Sequence, residues 1–235
     1  MSIRVIGVGE YVYSDFQELR SNLLYGGVTY EEHIASASDI KVHDSDNMAI
    51  IIALDNYNVA VDIARLFYQR GVLTIGLSDK KIEENGCFDA QHLYRSYNIC
   101  GIVDALIRPI VIPSQNSFDF NDISAAMKDA GNYTTFFAYD ESIDNLINKI
   151  KFQKSHLCME HFKSACISLY FNPASTIAKD EIAKVKGLFD IMPADCNTVF
   201  GFYHDSTLKP NSFELSIIIA GIPMNVFYFN KTGKS

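Results

Sequence analysis

The hydrophobic positions in the first half of the chain form short continuous runs separated by helical stripes. Residues 2–9, 48–54 and 72–77 are apolar runs of strand length, which is typical of strands buried on both faces of a parallel sheet. Between the last two runs, residues 59–70 repeat apolar side chains at helical spacing, and Gly71 follows as a helix stop. The pattern predicts a β-α-β unit with a right-handed crossover.

Three further stretches have helical spacing. Residues 15–24 follow the first strand, and residues 88–107 predict a long, largely buried helix. Residues 113–131 predict a loop that runs into a helix ending at Gly131. Residues 26–46 are polar and poorly periodic, with at most a short strand near residues 40–42.

The second half changes character after residue 152. A strand near residues 136–139 and a helix at 140–150 complete the first domain. The following elements are mainly strands: residues 164–171, 197–204, 212–220 and 224–229, with one helix at 178–189. The sequence therefore predicts two domains, an α/β domain at 1–152 and an α+β domain with a mixed sheet at 153–235, divided near Gln153.

Composition and charge exclude several classes of protein. The 235 residues are 48% hydrophobic and carry a net charge of −8 with no basic block, so we expect no nucleic-acid partner. No apolar run reaches the roughly 18 residues of a membrane span, so we expect no membrane insertion and a cytoplasmic protein. Five cysteines without a CxxC motif fit a reducing compartment.

Metal and hydrolase chemistry have little support. His156, Cys158, His161 and Cys166 lie close in sequence, but their spacing matches no standard zinc site, so we interpret them as surface histidines and core cysteines and expect no metal. No nucleophile-elbow motif accompanies a Ser-His-Asp order, and the chain therefore gives no basis for a hydrolytic triad.

The most distinctive polar pair is Asp119 and Asp122, three residues apart at a predicted helix start. Their carboxylates project from roughly the same face. They could orient a water molecule, approach a cation, or only favour the positive end of the helix dipole. The last interpretation is the usual one for an isolated pair of this kind.

Several segments, in this order, resemble the FtsZ/tubulin family of polymerising GTPases. They are IRVIGVG, MAIIIAL with the helix after it, RGVLTIGL, residues 88–108, NSFDFNDISAAMKDAG, FKSACISLYF, TVFGFYHD and FELSIIIAGIP. The resemblance implies a Rossmann-like parallel-sheet N-terminal domain, a central helix at about residues 88–107, and a smaller α+β C-terminal domain. It also implies a cytoskeletal role of the kind that serves cell division.

The departures from the family fall on its nucleotide site. The first loop has Glu10-Tyr11-Val12-Tyr13 where the family has a phosphate-holding glycine run, and LDNYNV stands where it has GGGTGTG. The resemblance thus assigns Gly7, Gly9, Glu10, Asp55, Asn56 and Asn58 to degenerate nucleotide loops that do not bind. The chain also lacks the family's strand and helices between Leu77 and Phe88. We expect a pseudo-GTPase, not an enzyme by itself, with no cofactor.

The family's synergy loop is partly retained. Asp119 and Asp122 match its two aspartates, while Ser117 replaces its asparagine, and Asn116 precedes it. In the family this loop of one subunit completes the GTPase site of the next. The resemblance therefore assigns Asn116, Ser117, Asp119 and Asp122 to an interface, with Asp119 and Asp122 acting in trans. We expect Asp119→Ala to leave folding nearly intact.

Three functions remain open from the sequence. The first is capping or modulation of an FtsZ-type filament through the synergy-like loop. The second is a structural homo-oligomer that assembles without nucleotide. The third is a protein that binds another small ligand with the altered loops, because Asp55, Asn56 and Asn58 follow a strand's carboxyl end.

Overall fold

The computed structural model describes residues 1–10, 12–82, 86–93, 99–112, 118–155, 161–175, 177 and 179–223. The chain divides into two compact units. The first comprises residues 1–107 and 127–131, and the second comprises residues 108–126 and 132–235. Among the described residues, no helix is both long enough and apolar enough to cross a membrane.

The sheet of the first unit is parallel throughout. Its strands are β1 (Ser2–Val8), β2 (Val28–Ile34), β3 (Asp46–Ala53), β4 (Leu73–Ser78) and β5 (Ala90–Leu93), in the spatial order β2-β1-β3-β4-β5. Helix α1 (Tyr13–Asn22) follows β1, a short 3-10 turn spans Ala37–Asp39, and helix α2 (Tyr57–Tyr68) connects β3 to β4. The predicted β-α-β unit is present.

Burial explains why β3 reads as an uninterrupted apolar run. All six residues from Met48 to Ala53 are buried, because helices cover both faces of a parallel sheet and leave neither face exposed to solvent. Helix α2 packs Ala60, Ile63 and Phe67 against this core, which also contains side chains of β1 and the residue before β4. The helical stripe in the sequence corresponds to this contact.

The predicted helix at residues 88–107 is wrong in its first half. Residues 90–93 form β5, which pairs with β4 from Ile75↔Ala90 to Ser78↔Leu93. Helix α3 spans Ile99–Val111, and residues 94–98 lie outside the described residues. The Asp89 N–H donates to the carbonyl of Thr74, and the Asp89 carboxylate accepts from the Thr74 N–H, which ties this segment to the sheet. The expected absence of a strand before the central helix is corrected by the same observation.

The sequence also missed β2. No residue of this edge strand is fully buried, and Glu31, Glu32 and His33 interrupt any apolar alternation. The short strand expected at residues 40–42 is instead an extended segment without a strand partner in the described structure, between the 3-10 turn and β3.

The second unit has a mixed sheet. Its strands are β6 (Gly131–Asp140), β7 (Ser164–Phe171), β8 (Asn197–His204) and β9 (Phe213–Ala220), in the order β6-β9-β7-β8. Strand β9 is antiparallel to β6 and β7, whereas β8 is parallel to β7. The remaining described elements are helices α4 (Phe120–Met127), α5 (Ile143–Ser155) and α6 (Lys179–Lys186) and a 3-10 helix (Gly187–Ile191).

The units do not divide near Gln153. Strand β6 pairs with β9 over eight positions, from Tyr133↔Ala220 to Asp140↔Phe213. Leu146 and Ile150 of α5 pack in the same core as Ile167 and Leu215. Local sequence patterns do not encode long-range strand pairing. The prediction that β6 and α5 belong to the first domain is therefore wrong, because both elements lie in the second unit. The predicted strand at residues 224–229 lies outside the described residues.

Candidate functional site

The two glycines after β1 have different structural roles. A side chain at Gly7 would meet the ring of Phe16 at 2.8 Å, so this glycine serves packing between β1 and α1. Gly9 has φ +82°, a left-handed conformation that favours glycine, and its N–H donates to the carbonyl of Ile34. Glu10 beside it is exposed.

The Asp55 carboxylate occupies the space that Gly9 leaves open. A Cβ at Gly9 would stand 1.8 Å from Asp55 Oδ1, so the carboxylate lies directly over the glycine backbone. Asp55 Oδ1 is buried and accepts no hydrogen bond from any described residue. An acidic group therefore fills the concavity at the carboxyl ends of β1 and β3, where α/β sheets commonly bind ligands.

The start of α2 is shaped by a tyrosine that the sequence did not single out. Tyr57 donates its hydroxyl to the carbonyl of Leu54 at 2.6 Å and to Asp79 at 2.5 Å, and Lys80 Nζ lies 4.0 Å from its ring centre. Burial, and next the hydrogen bond to Asp79, raise the pKa of Tyr57 far above its usual value. The Tyr57 side chain thus stays neutral, and its hydroxyl links the residue after β3 to the residue after β4.

The two asparagines of this loop offer little to a phosphate. Asn56 has φ +46° and its side chain makes no cap to α2, while the side chain of Asn58 is exposed. With Asp55 and Asp79 as neighbours, the local charge is acidic apart from Lys80. The start of α2 therefore combines two carboxylates with one ammonium group.

The start of α4 shows what Asp119 and Asp122 do within the chain. Asp119 Oδ1 accepts from the N–H groups of Asn121 at 2.7 Å and Asp122 at 3.4 Å, while Asp122 Oδ2 accepts from the Asp119 N–H at 2.9 Å. This is a reciprocal capping arrangement. Removing an N-cap acceptor typically costs about 1 kcal/mol. Nearly intact folding of Asp119→Ala stays a prediction, with a stability loss of that size.

The capping hydrogen bonds leave acceptor capacity on the carboxylates of Asp119 and Asp122. Asp119 is exposed and Asp122 is half-buried, so oxygen lone pairs remain for an external donor. The helix start is held in place by Phe118, whose ring meets Tyr203 edge-on at 5.9 Å and whose carbonyl accepts from the Tyr203 hydroxyl. Asn116 and Ser117 lie outside the described residues.

The cysteine and histidine group is only partly described. His156 and Cys158 lie outside the described residues, and Cys166 is a buried residue of β7. Burial, followed by the charges of Asp122 and Cys196, raises the pKa of Cys166 to about 12. Within the described ranges, no three histidine, cysteine or acidic side chains converge as a metal site.

Comparisons with known proteins give a structural likeness without a sequence match. No family model matches the chain, and no curated protein matches it. The structure of an empty FtsZ dimer from M. jannaschii superposes with a TM-score of 0.73 at 13% identity, covering 94% of this chain and 88% of that one. The chain has an FtsZ/tubulin-like fold.

Two other solved structures share the FtsZ/tubulin-like fold with this chain. GDP-form TubZ protofilaments of Bacillus thuringiensis serovar israelensis give a TM-score of 0.63 at 10% identity, covering 95% of this chain and 84% of that one. GDP-bound CetZ1 from Haloferax volcanii gives 0.63 at 12% identity, covering 95% of both chains. The predicted fold class is confirmed, whereas the roles assigned to the loops and to Asp119 and Asp122 stay predictions.

Proposed function

We propose that this protein is an FtsZ-like pseudo-GTPase that acts through protein–protein contacts. It docks on an FtsZ-type filament through the start of α4 and caps or modulates that filament. The proposal combines the FtsZ/tubulin-like fold with two local observations, one in each unit of the chain.

The observation that carries the proposal is the Asp55 carboxylate lying over Gly9. A phosphate oxygen that approached the Gly9 backbone would meet this carboxylate at contact distance. Two like charges 4 Å apart repel by about 4 kcal/mol at an effective dielectric constant of about 20. Asp79 adds to the repulsion, and the loop from Leu54 to Val59 contains no glycine that would let backbone donors reach a phosphate.

The second observation supports docking. Asp119 is exposed at the start of α4, and its reciprocal cap with Asp122 fixes the direction of both carboxylates. Preorganised carboxylates can hold a water molecule or a cationic partner group without further ordering. A subunit that offers this surface, but no nucleotide for the next subunit, ends the filament to which it binds.

Calorimetry tests the nucleotide half of the proposal. Wild-type protein titrated with GTP or GDP and magnesium should give no binding heat at high-micromolar concentration. Asp55→Gly removes the carboxylate and should permit weak heat, while Asp44→Gly, which removes a fully exposed carboxylate elsewhere in the unit, should not. Low-micromolar binding by the wild type would contradict the proposal.

A further inference from the structure

Strand β8 forms one end of the second unit's sheet. It pairs with β7 in an unbroken parallel ladder from Ser164↔Asn197 to Phe171↔His204, and no described strand pairs with its other side. A regular eight-residue edge presents a row of backbone donors and acceptors that is suited to a further strand.

The side chains of β8 lack the usual protection of an edge. Its eight residues, NTVFGFYH, include no lysine, arginine, aspartate, glutamate or proline. Proteins commonly block open edges with such residues or with bulges, because a flat uncharged edge attracts other chains.

Strand β2, the edge of the first unit's sheet, differs from β8 because it has charged residues and an irregular backbone. Its Glu31 and Glu32 carry charge, and His33 has φ +60°. The register of β2 with β1 also shifts between Ile6 and Val8, which marks a bulge. In the described part of the chain, β8 therefore lacks both the charged side chains and the register shift that β2 has.

An apolar surface accompanies the β8 edge. Phe189 is 37% exposed and its ring meets Phe200 edge-on at 6.0 Å, and Phe200 in turn meets Phe202 at 4.5 Å. Phe200 and Phe202 pair with Ile167 and Leu169 of β7, so they lie on the face that carries the unit's core. A strand added beside β8 would extend this aromatic cluster.

We propose that a second copy of this chain occupies the edge, with the two β8 strands paired antiparallel about a two-fold axis. An uncharged strand can pair with itself without opposing like charges, even though each chain carries −8. Pairing of two eight-residue strands adds about eight backbone hydrogen bonds, and the aromatic cluster beside the edge adds apolar contacts. This inference rests on β8 and does not depend on the capping proposal.

The test is the molar mass of the purified chain from nanomolar to high-micromolar concentration, without nucleotide. Wild type should pass from 26.4 kDa to twice that mass. Thr198→Lys places an ammonium group at the seam, where β8 offers no carboxylate, and should weaken dimerisation by roughly tenfold or more. Thr29→Lys makes the same change on β2 and should leave the dimer unchanged.

Hydrogen exchange on the wild type provides a second measurement that needs no variant. Amides of residues 197–204 should exchange more slowly at high protein concentration, while those of β2 should not change. A wild type that stays monomeric, a Thr198→Lys dimer as tight as the wild type, or concentration-dependent protection confined to another surface would each overturn the inference.

Discussion

At the scale of single residues, the contact between Gly9 and Asp55 is the observation on which the pseudo-GTPase proposal depends. The sequence showed that glycines were scarce and that Asp55 brought charge, but it gave no sign that the carboxylate lies on the glycine itself. Tyr57 was equally hidden, because its role depends on Asp79 at the end of another strand. Such contacts are set by tertiary packing and have no local signature.

Gly9→Ala tests this contact. The change places a methyl group where Asp55 Oδ1 now lies and also strains φ, so it should lower the free energy of unfolding by about 1–3 kcal/mol more than backbone strain alone. Gly71→Ala is the matched control, since its φ is +75° and no atom lies within 4 Å of a new Cβ. Urea unfolding of both variants gives the difference, and equal losses would show that Asp55 does not fill the site.

At the scale of elements, the buried Arg108 guanidinium pairs with two acidic side chains of the second unit. Arg108, in the last turn of α3, binds Glu214 at 2.6 Å and also Asp205, and its guanidinium stacks 3.8 Å from the ring of Tyr170. Asp205 is 8% exposed and its pKa is held below its usual value, because hydrogen bonds from Thr207 and the charge of Arg108 outweigh the effect of burial.

Arg108→Met should destabilise the protein by about 3–5 kcal/mol, because it leaves the buried Asp205 carboxylate without its cation. Arg20→Met is the control: Arg20 is more than half exposed in its pair with Glu32, and its loss should cost less than about 1 kcal/mol. Thermal or urea unfolding measures both. If both variants lost a similarly small free energy of unfolding, solvent rather than Arg108 would stabilise the charge of Asp205.

The contact between β6 and α5 makes a pH prediction. Lys149 donates to Asp140 at 2.8 Å and to the carbonyl of Tyr139, and the hydrogen bonds from Lys149 and Asn145 lower the pKa of Asp140 from 3.8 to about 2. A carboxylate whose pKa is lower in the folded than in the unfolded state stabilises the fold at any pH above its unfolded pKa. That stabilisation is lost as the pH falls through the folded pKa.

The wild type should therefore lose its stability advantage over Lys149→Met between about pH 4 and pH 2. Unfolding free energies of both proteins across this window provide the measurement, with Lys151→Met as an exposed control on the same helix. A difference between wild type and Lys149→Met that does not change with pH would contradict the assigned pair.

The elements also show which parts of the fold were predictable. Buried parallel strands such as β3 and the amphipathic α2 have strong local patterns, and the prediction located them. Edge strand β2 and the short β5 have weak patterns, and the helical spacing that continues through residues 88–107 concealed β5. The unit boundary depends on the pairing of β6 with β9, from Tyr133↔Ala220 to Asp140↔Phe213, and no local pattern encodes pairing over such a distance in sequence.

At the scale of the whole molecule, the chain has an FtsZ/tubulin-like fold. The likeness to the FtsZ, TubZ and CetZ structures extends over more than nine-tenths of the chain, so the comparison concerns the whole architecture and not one motif. The sequence match is only 10–13%, and the functional proposal therefore stands on the local geometry of Asp55 and of Asp119.

The most direct test is the length of FtsZ filaments, from the organism that encodes this protein, assembled with GTP and increasing substoichiometric amounts of this protein. The account predicts shorter filaments with wild type. It predicts little effect with Asp119→Asn, which keeps a helix-capping oxygen but removes the charge, and a wild-type effect with Asp44→Asn. Unchanged filament lengths with wild type, or equal shortening by Asp119→Asn, would contradict docking through the start of α4.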